Sequence, residues 1–282
     1  MEAHSREDPS SYLRRIGLSG APADWAPTPS SESCGTRLAA LVAAHQAAVP
    51  FENLALHAGE PASVDPVVTV AKIVTRHRGG ICYELNSALG WLLQRLGWSV
   101  AWHAGRVRGS DEEYGLPLGH LALVVSASAD GRWLVDVGFG GDAICGPVER
   151  LVTGLDGPEV EAMVRDLDGV PVRYLLETRS RPLRDFAGMA WWHSTSPAAR
   201  FAGSLVCTVT RDGQRITLAG RRLKITTAGR AADRRAAEEP RVLSERWIDD
   251  VAELLDIYRD IYGIELEAEP VQRQSVANGS PR

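Results

Sequence analysis

The 282-residue chain contains no run of about 18 apolar residues, the length a helix needs to cross a bilayer. Its opening, MEAHSREDPSSYLRR, is polar and charged and lacks the apolar centre of a secretion signal. A cytoplasmic protein without a membrane partner is expected. Excess basic charge is also missing: 31 Lys and Arg face 36 Asp and Glu, a formal net charge of −5. That balance argues against a nucleic-acid partner. Cysteines are few, and Cys34, Cys82, Cys145 and Cys207 form no C-x-x-C pair, which argues against a zinc knuckle or a thioredoxin-type site. No metal site is expected. Without a secretion signal a disulfide framework is not expected either, and three of the four cysteines read as small buried apolar residues.

What is present is an ordinary globular mixture, 44% hydrophobic and 24% charged. Residues 1–10 read as a loose start. Leu38, Leu41, Val42 and Val49 suit a helix over 31–49, which Pro50 ends. A short helical stretch over 69–77 runs into Arg78-Gly79-Gly80. Leu85, Leu89, Leu92, Leu93 and Leu96 recur at helical intervals over 82–96, and Gly97 is a natural stop. The period then changes. Valine-rich strands fit 99–107, 120–127 and 132–138, the last two forming a hairpin at Asp130-Gly131. Strands also fit 203–210, 214–218 and 221–227, with Asp212-Gly213 in a turn. Trp247, Val251, Leu254, Leu255, Tyr258 and Ile261 predict a last helix over 244–262. Helices, then strands, then a helix make an α+β class rather than a repeated βαβ unit.

Cys82 stands out by position. A thiol attacks only as thiolate, which a helix N-terminus, a nearby cation or a histidine partner favours. Gly79-Gly80 permits a sharp turn, the leucine-periodic helix begins at Cys82, and Arg78 lies four residues before it. Unpaired N–H groups at that helix end could also hold an oxyanion. The residues alone leave open a small cysteine at a helix start.

A base must come from the histidines. His45 falls in the alanine-rich helix and His57 in a loop, each compatible with a solvated or capping role; His77, His103 and His193 are further candidates. His120 opens the apolar strand LALVV after a glycine-bounded loop, a rigid setting for chemistry. Asp136 interrupts the apolar run of the partner strand. A buried carboxylate there needs a partner, and a histidine on the adjacent strand would serve. A turn or edge carboxylate is the alternative. Together Cys82, His120 and Asp136 form a nucleophile–base–orienter hypothesis.

Five ordered segments carry a resemblance. Arg78-Gly79-Gly80-Ile81-Cys82-Tyr83-Glu84-Leu85-Asn86, Pro50-Phe51-Glu52-Asn53-Leu54, Val135-Asp136-Val137-Gly138-Phe139-Gly140, Tyr12-Leu13-Arg14-Arg15-Ile16-Gly17, and Ser194-Thr195-Ser196-Pro197 with Phe201 resemble segments of the arylamine N-acetyltransferase family. The resemblance implies an N-terminal helical bundle, a central β-barrel and a C-terminal α/β lid, with a cysteine-protease-like triad. On this chain that division runs 1–97 with the nucleophile, 98–200 with His120 and Asp136, and 201–267 for the lid, followed by a disordered tail over 268–282. It also implies ping-pong transfer from acetyl-CoA, as co-substrate rather than bound cofactor, through Cys82 to an aromatic amine or hydrazine. Glu52 and Arg78 match a supporting buried ion pair, with Asn86 beside them. Phe51, Ile81, Gly138, Phe139, Gly140, Ser194, Thr195 and Phe201 are the implied substrate and CoA contacts, with the glycines letting the donor approach the backbone.

The chain departs from the family between Pro147 and Trp191, where it is short and Val172–Glu177 replaces an aromatic-rich strand. Ile81 fills a slot that is often aromatic. Trp191-Trp192-His193 suits either a roomy pocket or core packing. These departures keep the family's amide synthases in play. Those enzymes take an ansamycin-type chain from an acyl carrier protein and close it to a macrolactam.

Overall fold

The computed structural model describes residues 8–109, 112–128, 131–141, 143–148, 152–165, 171–227 and 241–273. Helix α1 (Pro9–Arg15) starts where a loose terminus was expected, because Asp8 caps it and Pro9 presets its first turn. Helix α2 (Ser31–Ala48) is capped by Ser30. Strand β1 (Phe51–Glu52) follows, and then the single turn α3 (Leu54–His57). Helix α4 (Pro66–Val74) begins three residues before the expected start, since Asp65 accepts from the Val67 N–H and Pro66 takes the first position. Helix α5 (Cys82–Arg95) buries Leu85, Leu89, Leu92 and Leu93 as its period predicts.

Strands β2 (Ser99–Val107), β3 (His120–Ser128), β4 (Gly131–Asp136), β5 (Ile144–Pro147), β6 (Val152–Thr153), β7 (Glu159–Arg165) and β8 (Pro171–Ser180) form one antiparallel sheet in the order β5-β4-β3-β2-β8-β7-β6. The β3–β4 hairpin is present, with Ser128 opposite Gly131; Asp130 lies outside the described residues. The expected barrel is met in part, by a curled antiparallel sheet that forms a half-barrel. Among the described residues β5 and β6 do not pair, and α2 packs against β4 and β5 on that side. The region expected to be short supplies β7 and β8, which pair with each other, and β8 pairs with β2.

Helix α6 (Ala187–Thr195) leads to a second sheet. Strands β9 (Val206–Arg211), β10 (Gln214–Ala219), β11 (Arg222–Thr227) and β12 (Val242–Trp247) join β1 in the order β1-β9-β10-β11-β12. The helix expected over 244–262 is corrected here. Its first residues form β12, where Glu245 and Arg246 pair with Lys224 and Leu223 of β11. Helix α7 (Val251–Tyr262) starts only at Asp250, whose carboxylate accepts from the Ala252 and Glu253 N–H groups. Trp247 is therefore an exposed strand residue, while Leu254, Ile257 and Tyr258 carry the helix into the core. The tail is also ordered further than expected. Glu269 receives both arms of Arg221, Gln272 donates to the Gly203 carbonyl, and the Arg273 N–H donates to His57 Nδ1. Residues 274–282 lie outside the described set.

One short segment ties the helices to the second sheet. Phe51 and Glu52 pair with Thr208 and Cys207 of β9, and Phe51 bridges Gly80 on its other side. Glu52 is fully buried, accepts two bonds from Arg78 at 2.8 and 3.0 Å, and takes the Leu54 N–H at 2.7 Å. This close approach requires glycine: a Cβ on Gly79 would lie 1.8 Å from the Pro50 carbonyl oxygen. Gly79→Ala is expected to cost roughly 2 kcal/mol or more, because backbone rather than a flexible side chain must yield. Urea unfolding of the variant checks this, and an unchanged midpoint would refute it.

Candidate active site

Cys82 is the first residue of α5 and is almost fully buried. The turn before it is held from within. The Ile81 N–H donates to Glu84 Oε2 at 3.2 Å, and Lys72 from α4 reaches Glu84 Oε1 at 2.7 Å. Both charged groups are buried, so each needs the other. Burial raises the Glu84 carboxyl above its ordinary value, and Lys72 opposes that shift. Sequence reasoning missed this pair. Its one signal was Glu84 standing three residues after Ile81, the spacing of a capping box.

His120 opens β3, and Asp136 closes β4. Continuing the hairpin register by one pair sets Asp136 opposite Ala122, so it is the diagonal neighbour of His120 on the same face. The two side chains meet at 2.6 Å, His120 Nε2 to Asp136 Oδ2. The other carboxylate oxygen accepts from Asn86 Nδ2 and from the Gly138 N–H, each at 2.8 Å. Asn86, one turn beyond Cys82 on α5, also donates to the Leu121 carbonyl at 2.6 Å and accepts from the Val137 N–H at 3.0 Å. A fully buried carboxylate thus has its acceptors satisfied, and the same amide locks α5 to the hairpin. Of the two readings of Asp136, buried partner or edge carboxylate, the first is the observed one.

With Nε2 committed to Asp136, Nδ1 is the ring nitrogen left open on the side of Cys82, whose side chain lies close enough to act on the ring. Burial pushes His120 down, but the charge and hydrogen bond of Asp136, aided by Cys82, outweigh it and raise the imidazole to about 10. The ring is fenced by Phe139 and Tyr174, both edge to face, at centroid distances of 5.7 and 5.3 Å. Gly105 leaves room for it, since a Cβ there would lie 3.2 Å from both His120 and Tyr174.

A cavity of about 570 Å³ opens over this group. Phe51, Gly138, Phe139 and Phe201 line it, as the resemblance implied, together with Val107, Tyr114, Leu116, Met189, Trp192 and His193. The remaining implied contacts sit elsewhere. Ile81 is fully buried, and Gly140, at φ +83, packs against Phe51. The Ser194 hydroxyl is buried, donating to the Ala190 carbonyl and accepting from the Ala62 N–H, because α6 turns it away from the cavity. Thr195 donates to the Trp191 carbonyl. Gly138 makes room for the backbone of Cys82: a Cβ there would stand 2.5 Å from the Cys82 Cα.

The other histidines divide by burial and partner. His45 is buried against the Tyr12 hydroxyl at 3.0 Å, so it is a core residue rather than a solvated one. His57 faces the Ser204 carbonyl and accepts from Arg273, and His103 bonds the Glu177 carbonyl. Of the tryptophan pair, Trp191 is exposed and Trp192 lines the cavity. Cys34 and Cys207 are buried, and Cys145 is partly so. Among the described residues no cluster of His, Cys, Asp or Glu suits a metal ion, and no helix is long and apolar enough to cross a membrane.

Known proteins share this sequence and fold. A family model described as N-acetyltransferase matches residues 36–271. An arylamine N-acetyltransferase of Mycolicibacterium smegmatis is 35% identical over 277 residues, covering 92% of each chain. The structure of Mycobacterium marinum arylamine N-acetyltransferase in complex with CoA superposes with a TM-score of 0.71 at 32% identity, covering 91% of this chain and 93% of that one. The Salmonella typhimurium enzyme shares the fold with a TM-score of 0.73 at 21% identity, covering 100% of this chain and 96% of that one. The chain belongs to the arylamine N-acetyltransferase family and is a transferase of the acyl-transferring class.

Proposed function

We propose that this chain forms amides by ping-pong acyl transfer, from acetyl-CoA through an acyl-enzyme on Cys82 to an aromatic amine or hydrazine. The observation that carries the reading is the buried His120–Asp136 pair, with Cys82 beside His120 in the lining of an open cavity. The raised pKa of His120 suits it to take the Cys82 proton, so that the thiolate forms for the attack. The thiolate attacks the thioester carbonyl, and the first N–H groups of α5, which have no partner within the helix, face the oxyanion that forms. The C–S bond to CoA breaks, and the departing CoA thiolate takes the proton from His120. The amine then attacks the acyl-cysteine, His120 accepts the amine proton, and Cys82 leaves as thiolate with the amide released. Asp136 keeps the imidazole in the tautomer and orientation both half-reactions need, and balances its charge.

Glu52 with Arg78 acts as structural support for the loop before Cys82. Asn86 supports Asp136. We favour acetyl-CoA over a carrier-protein thioester as donor because the M. marinum relative was solved with CoA. An apolar, aromatic-walled cavity suits an aromatic acceptor.

Cys82→Ala is expected to abolish transfer, with no acetyl adduct by mass spectrometry, whereas single alanine variants of Cys34, Cys145 and Cys207 keep the adduct. Near-normal turnover of Cys82→Ala would sink the mechanism. Asp136→Asn is expected to fold yet lose roughly three orders of magnitude in turnover, through a misoriented imidazole. Equal turnover at saturating substrate would count against it. The His120 shift has a sign that stability reports. Its folded value lies above the ordinary 6.5, so its contribution is full below pH 6.5 and is lost as pH rises through about 10. Unfolding free energy should fall across that window, and the fall should be smaller in His120→Gln. Identical slopes in the two proteins would show that this histidine does not carry it.

A further inference from the structure

The cavity holds a second histidine that the proposed reaction does not use. His193, on α6, lines the cavity together with Cys82 and His120. Its ring packs among Tyr83, Trp192 and Phe201 at centroid separations of 5.9, 5.0 and 5.4 Å. Neither ring nitrogen closes a hydrogen bond, and both are shielded from solvent. The Gly119 carbonyl lies near enough to favour an N–H on the ring without completing a bond. Burial pushes His193 down to about 4, the carbonyl opposing and His120 assisting, so the ring is neutral at pH 7.

A neutral imidazole carries one N–H and one lone pair. The Gly119 carbonyl draws the N–H, which leaves the lone pair as the open valence. Among the rings packed around it, Tyr83, Trp192 and Phe201, that lone pair is an unpartnered polar atom, and buried polar groups demand a partner. We propose that His193 determines acceptor choice, accepting a hydrogen bond from a hydroxyl or second N–H group on the aromatic amine and selecting such amines over those without a donor. An uncharged ring offers no ion pair, so a carboxylate substituent gains nothing from it. The inference rests on the acyl-transfer reading of the same cavity.

The test compares 4-aminophenol with its methyl ether, 4-methoxyaniline, which lacks the donor but keeps an amine of similar basicity. The kcat/KM ratio of the two acceptors is measured with acetyl-CoA for the wild-type chain, His193→Phe and His193→Leu, with circular dichroism confirming the fold of each. Acetylation of Cys82 by acetyl-CoA alone is followed by mass spectrometry. The wild type should prefer the phenol by about tenfold, the worth of one hydrogen bond. Both variants should bring the ratio to within about twofold, while His193→Gln, which keeps an acceptor, should retain part of the preference. If Cys82 is acetylated but the wild type shows no preference, or the preference survives in a folded Phe or Leu variant, the inference is overturned and the acyl-transfer reading stands. Failure of acetyl-CoA to acetylate wild-type Cys82 would overturn both.

Discussion

The fully buried Asp136 carboxylate is the constraint around which the site is organised. A charge removed from water must find its solvation in the protein, and here it finds three donors: His120, Asn86 and the Gly138 backbone. Each donor comes from a different piece of chain. His120 brings β3, Asn86 brings α5, and Gly138 brings the loop after β4. Satisfying one carboxylate therefore docks the nucleophile's helix on the hairpin. It also fixes the imidazole, because the oxygen that takes Nε2 leaves only Nδ1 open.

Close approach follows from that docking. Helix α5 can lie against the loop after β4 only because Gly138 has no side chain where the Cys82 backbone passes. Behind Cys82, Gly79 lets the loop touch the Pro50 carbonyl, and Phe51 and Glu52 then extend into the second sheet. The Glu52–Arg78 pair and the Lys72–Glu84 pair flank this turn, both largely out of water. Removing one member of either pair would strand a buried charge, so the turn is held more rigidly than its glycines alone would suggest. Rigidity is what a thiol poised against an imidazole requires.

The cavity above is of a different character. Its walls carry several aromatic rings and come from both sheets, α6 and the loops after β2 and β4. Such walls bind flat rings without much discrimination, so choice among substrates falls on the few polar groups among them. His120 is held by Asp136. His193, held among rings with neither nitrogen hydrogen-bonded, is the group to which we assign a part in that choice.

Much of this was legible in the chain itself. The leucine period of α5, the Gly79-Gly80 turn before Cys82, the strand starting at His120 and the buried setting of Asp136 are local signals. Each depends on spacing that a helix or strand repeats along its own length. Pattern failed where tertiary partners decided. Trp247 fits the period of the last helix, yet hydrogen bonding to β11 makes its segment a strand. Ser194 looks free to meet a ligand in its motif, yet packing on Ala62 turns it inward. The open edge of the first sheet, the Lys72–Glu84 pair and the isolation of His193 likewise depend on which surfaces meet. Residue types and order were enough to nominate a thiol, a base and a carboxylate. Only the folded chain decided that the base and the carboxylate touch and what surrounds them, because burial and hydrogen-bond partners belong to segments far apart in sequence.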